Sequence, residues 1–124
     1  MSVPTVLFYQ LNGTRGARIR TFCVSQRLRI RSVAPEEYGE PIAALAGLAP
    51  RSGEAAPETG FSDEMLVFCG LSDAQLNQFL GDFRRAGLAP VALKAVLTPD
   101  NALWSSVRLH GELALEREAM MRQS

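Results

Sequence analysis

The sequence predicts an α/β fold of two tandem β-α-β-α units sharing one four-stranded sheet. The expected arrangement is close to a ferredoxin-like sandwich with a helix added after each half, and a doubly wound parallel sheet is the alternative. Three observations predict it. Short apolar runs alternate with segments of helical periodicity along the 124 residues. Similar strings recur in the two halves: V-L-F-Y-Q-L at 6–11 returns as L-V-F-C-G-L at 66–71, and I-R-S-V-A-P-E at 30–36 parallels K-A-V-L-T-P-D at 94–100. A stretch containing Pro50, Gly53, Pro57 and Gly60 separates them. A single domain is expected, with a first unit over 5–48, a flexible linker over 49–63 and a second unit over 64–122.

Each element has its own signal. Val6 to Leu11 is apolar and stops at Asn12-Gly13, which reads as a strand entering a turn. Over Thr14 to Gln26, Ile19, Phe22 and Cys23 fall at i, i+3 and i+4, the stripe of a one-sided helix. Leu28 to Val33 alternates, so Leu28 and Ile30 share one face and Arg29 and Arg31 the other. Glu36 to Leu48 predicts a short helix with Ile42, Leu45 and Leu48 inward, made irregular by Gly39 and Pro41. Phe61 is the one residue of the linker able to dock on a core. Glu64 to Gly70 is the third strand. Ser72 and Gln75 then form a capping box before Leu76, Phe79, Leu80 and Phe83, and Gly87 supplies a left-handed stop. Val91 to Leu97 is nearly all apolar, which predicts a central strand. Thr98, Pro99 and Asp100 read as the cap and first turn of a last helix running to about Arg122. The string offsets of 60 and 64 residues point to a longer helix in the second half.

Composition narrows the function classes. An apolar fraction of 47% with 21% charged residues provides for one core and argues against disorder of the whole chain. No apolar run approaches the roughly 20 residues of a membrane span. The N-terminus shows no secretory signature, and Cys23 and Cys69 sit singly within apolar stretches, so a cytoplasmic protein with two reduced thiols is expected. Two Cys and one His in no metal-ligand spacing predict no metal, and no cofactor motif is present. Net charge is zero but uneven. Residues 1–35 hold six arginines and no acid, while the remainder holds seven basic and thirteen acidic residues. Such asymmetry suits an anionic partner or two mutually attracting subunits.

One stretch carries a resemblance. K-A-V-L-T-P-D-N-A-L-W at 94–104 sets Lys, Thr, Asn and Trp at fixed spacing, L-x-x-E-L-x-x-E follows at 109–116, and E-E-Y-G-E-P-I-A-A-L-A-G lies at 36–47. Together these resemble a family of small bacterial proteins catalogued as a domain of unknown function, along nearly its whole length. The resemblance implies a fold and a bacterial, cytoplasmic setting, and it implies no reaction. His110 and Arg117 depart from the family pattern.

Function is therefore expected from binding rather than catalysis. His110, the only histidine, has neither Glu112 nor Glu116 at i+3 or i+4, and neither Cys adjoins an obvious basic cluster. The leading expectation is an interaction or regulatory module for a small anionic ligand or a protein partner. Its candidate ligand residues are Lys94, Thr98, Asn101 and Trp104 around a strand-to-helix junction, with Arg15 and Arg18 in the Asn12-Gly13-Thr14 turn as further anion donors. The alternative is a small nucleic-acid binder using Arg29, Arg31 and Tyr9 as charge and stacking platform. The last helix has apolar residues on more than one side, which predicts a homodimer through it.

Overall fold

The computed structural model describes residues 4–53 and 60–122. Its sheet has four strands, β1 (Thr5–Tyr9), β2 (Arg29–Ser32), β3 (Met65–Cys69) and β4 (Leu93–Val96), in the order β2-β1-β3-β4. β1 and β3 are buried along their whole length, which is why both read as unbroken apolar runs. Val91–Leu97 reads the same way, yet β4 is an edge strand with Lys94 and Val96 exposed, because β1 and β3 occupy the centre.

β1 pairs parallel with β2, and β3 parallel with β4. The units meet through β1 and β3, which are antiparallel, with Leu7 opposite Val67 at the middle of the register. Those two residues are also 60 apart, the repeat offset, so a pseudo-twofold axis passes between them. Each β-α-β unit stays whole, where a ferredoxin-like sheet splits each with a strand from the other. The mixed strand directions remove the wholly parallel alternative.

Helices cover both faces. Val6, Phe8, Leu66 and Phe68 meet α1 (Gly13–Ser25) and α3 (Asp73–Arg85) on one side, through Ile19, Cys23, Phe79 and Phe83. Each of these helices is 13 residues long. The four extra residues of the second unit therefore lie in the turn between α3 and β4, not in a longer helix. Leu7, Tyr9, Met65 and Val67 form the other face with α2 (Ile42–Leu45) and α4 (Ser106–Arg122), through Ile42, Leu45 and Leu109. A 3₁₀ turn at Pro35–Glu37 precedes α2, and Gly39 and Pro41 break the segment as their chemistry requires. Pro41 bridges Ser105 across the pseudo-axis.

The last helix begins at Ser106, not at Thr98. Thr98 and Asn101 exchange bonds, each side chain accepting from the other's backbone N–H (2.9 and 3.2 Å), while the Asn101 amide donates to the Val96 carbonyl (3.0 Å). This closes a turn, and the helix is capped later, where Ser105 Oγ accepts from Arg108 N–H.

Both ends of the connecting segment are held. The buried Glu40 carboxylate accepts from the backbone N–H groups of Ser52 (2.7 Å) and Gly53 (2.9 Å), which keep it below the usual carboxylate range. At the far end the Phe61 ring stacks on Tyr38 (4.5 Å) and His110 (4.2 Å). Residues 54–59, the middle of the expected linker, lie outside the described residues.

Candidate functional site

Strand alternation decides where Lys94 goes. It pairs with Leu66 and so shares the face that α3 covers, whereas Leu93 and Ala95 face α4. β4 is the edge strand, so α3 roofs this side only partly. A cleft of about 300 Å³ opens between them, walled by Leu66 from β3, Phe79, Leu80 and Phe83 from α3, and Leu88 and Val91 from the connecting turn. Its charged lining residues are Arg84, in the last turn of α3, and Lys94, both exposed. No carboxylate lines it. A smaller hollow of about 140 Å³ shares Leu80 and Lys94 with the first and continues past Phe68, Leu76 and Val96. Lys94 thus stands where two apolar hollows meet, its Nζ donating to the Val91 carbonyl at 3.2 Å. A cation beside a largely apolar concavity can hold the head of an anion while the walls desolvate its body.

The other residues expected at this site go elsewhere. Thr98 and Asn101 satisfy one another in the turn described above, and Asn101 is buried. Trp104 lies on the α4 side of the sheet, beside the core built on Tyr9 and Leu109. The Arg108 guanidinium stacks over its ring at 4.2 Å. Lys94 and Trp104 are therefore on opposite faces.

Of the four candidate arginines of the first unit, Arg15 and Arg31 are held in ion pairs. Arg15 grips Glu64 through Nε (2.8 Å) and Nη2 (3.0 Å), and Nη2 also reaches the Ala89 and Pro90 carbonyls (both 3.1 Å). Glu64 holds its pKa above the ordinary arginine value. It ties α1 to β3 and to the turn before β4. Arg18 is exposed in a shallow groove between α1 and the end of α3. Arg31 pairs with Glu37, which also takes Arg51 (3.2 Å), and Arg29 is exposed at the β2 edge. Tyr9 is fully buried, its hydroxyl bonded to Ser106 Oγ at 2.8 Å, and burial pushes its pKa far up. Its ring is not offered to a base. The platform of Arg29, Arg31 and Tyr9 is not assembled.

His110 Nε2 meets Asp63 Oδ2 at 2.8 Å, an acid from the connecting segment rather than from its own helix, and the ring stacks on Phe61. Burial pushes both thiols, Cys23 and Cys69, up to about 12, which favours the protonated form. Among the described residues no group of three His, Cys, Asp or Glu side chains gathers to hold a metal, and no helix is long and apolar enough to cross a membrane.

Sequence reasoning missed Arg84 and the cleft itself. Arg84 is four residues after Leu80, so the helical repeat sets it on Leu80's side. Its position in the last turn suits the helix dipole equally well.

Comparison with curated proteins and with solved structures finds no match. The family match is confined to the second unit and includes the Lys94–Trp104 segment, while the first-unit string at 36–47 lies outside it. Residues 64–120, spanning β3, α3, β4 and most of α4, match the model of the family described as a domain of unknown function (DUF3783).

Proposed function

We propose that this protein is a non-enzymatic binding module for a small amphiphilic anion, a carboxylate or phosphate carrying an elongated apolar body. The observation that carries this reading is the place of Lys94, between two confluent apolar hollows and with Arg84 as the other charge of the main cleft. The head group would take charge-assisted bonds from these two cations, each worth about 1.5–3 kcal/mol. The apolar body would lie along Leu80, Phe83 and Leu88. Two buried, unpaired thiols fit a reducing, cytoplasmic setting. The matching offsets of the two units support an origin by duplication, with the α3–β4 side keeping the open cleft.

Decanoate is a suitable probe, titrated calorimetrically and by displacement of an apolar anionic dye. Changing Lys94 and Arg84 together to Ala should weaken decanoate at least tenfold while leaving the far-ultraviolet dichroism unchanged. Leu80→Trp, which fills the cleft, should abolish binding with both cations present. Unaltered decanoate affinity in either variant would overturn the reading.

A further inference from the structure

The stripe of α4 turned away from the sheet packs on no other element among the described residues. Ser106 and Leu109 are its buried residues, with Leu113 packed against the same core. The opposite stripe, at helical spacing, is Arg108, Gly111, Leu115 and Ala119. Leu115 is 63% exposed, and a Cβ placed on Gly111 would meet nothing within 4 Å. Glycine in a helix interior costs about 1 kcal/mol relative to Ala. No contact within the fold requires one here. Open space above Gly111, with the exposed Leu115 one turn on, is the shape that lets a second helix approach closely.

The charges on the flank of this stripe select that helix. Arg108, Glu112 and Glu116 follow one another at i, i+4 and i+8, and none of them makes an ion pair among the described residues. Stacking on Trp104 already holds the Arg108 guanidinium at the surface. We infer that α4 docks antiparallel on α4 of a second copy, about a twofold axis at Glu112, where the two Glu112 side chains meet and the Arg108–Glu116 pairs on either side outnumber that one like-charge contact. In an antiparallel pair related by such an axis, each flank faces its own counterpart. Arg108 of each copy then lies opposite Glu116 of the other, twice over. A parallel pair would set Arg108 level with Arg108 and Glu116 level with Glu116, and neither Arg108–Glu116 pair would form.

The contact is small. A 17-residue helix is about 25 Å long, so the interface falls at the low end of the range for specific association. The dimer should dissociate on dilution. Sedimentation of the full chain is expected to show concentration-dependent movement from 13.5 kDa towards twice that mass. Gly111→Leu should give a monomer at every concentration and, by removing a helix glycine, a higher melting temperature, which separates loss of docking from loss of fold. Arg108→Glu and Glu116→Arg should each weaken the dimer at least tenfold, and the double exchange should restore it. A wild-type monomer at millimolar concentration would overturn the proposal. So would a dimer that survives Gly111→Leu, or a double exchange as weak as the single variants.

Discussion

The two units share a trace but differ in how their helices are specified. Counting 60 residues on from Gly16, Ile19 and Cys23 in α1 reaches Leu76, Phe79 and Phe83 in α3. The first set is small and the second large. The Phe22 ring, from α1, meets Phe79 and Phe83 edge-on at 5.2 and 5.5 Å, adding to the apolar contact between the two helices. α3 also carries its own start and stop signals: Ser72 Oγ accepts from Gln75 N–H, Gln75 Oε1 accepts from Ser72 N–H, and Asp73 and Arg84–Arg85 suit the dipole ends. α1 has no side-chain cap, no acid in its first turn and no base in its last. The second helix is encoded locally, and the first is held by what it packs against.

The sharpest way to break this comparison is at Gly16. A Cβ there would lie 2.2 Å from the Leu11 carbonyl oxygen, which is backbone and cannot swing aside, whereas the equivalent position in α3 holds a leucine. Gly16→Ala should cost at least about 2 kcal/mol, although alanine is the better helix former. Urea denaturation checks it, and a neutral or stabilising result would mean that α1 is free to shift on the sheet.

Much of this architecture is legible in the sequence because it is local. The apolar runs give β1 and β3, the alternation of Leu28 to Val33 gives β2, and the capping box gives the start of α3 to the residue. What misleads is chemistry with two uses. Thr98 and Asn101 present the side chains of a helix cap, and in the fold they close a turn with the same bonds, so α4 starts seven residues later. The candidate site is legible only in part, for a topological reason. Lys94 and Trp104 are ten residues apart, but which face each one joins depends on strand register and on where α4 begins. The cleft depends on β4 being an edge, and strand order is a long-range property that apolar periodicity does not carry.

A gentler probe compares the two helix starts. Ser72→Ala should cost about 1 kcal/mol, since it removes an acceptor for one of the unpaired N–H groups of α3. Asn12→Ala, at the equivalent place in α1, should leave stability within a few tenths of wild type, because the Asn12 side chain makes no capping bond. Equal losses in thermal melts would show that both helices depend on their caps alike.

The smallest effect sharpens the comparison at the helix ends. α1 closes with Arg27 at φ 62°, and α3 with Gly87 at φ 77°, again 60 residues apart. Gln10 and Gly70 repeat the pattern at the ends of β1 and β3, with φ of 60° and 84°. The first unit uses ordinary residues where the second uses glycine. The Gln10 side chain has a reason to be there, since it donates to Tyr38 Oη (3.0 Å) and the Phe61 carbonyl (3.1 Å). Among the described residues Arg27 is bound through its backbone alone: its N–H donates to the Val24 carbonyl, and that of Leu28 to Cys23. Glycine keeps both bonds. It relieves about 1–2 kcal/mol of left-handed strain and adds about 0.5–1 kcal/mol of unfolded-state entropy. Arg27→Gly should therefore stabilise the protein by a few tenths to about 1 kcal/mol, read as a higher urea midpoint at unchanged slope. The slope matters, because a change in the compactness of the denatured chain would alter it, whereas relief of strain at one backbone position moves the midpoint alone. A loss of stability would instead show that the Arg27 side chain holds α1 in place, and the first unit would then close its helix by a contact the second does not need.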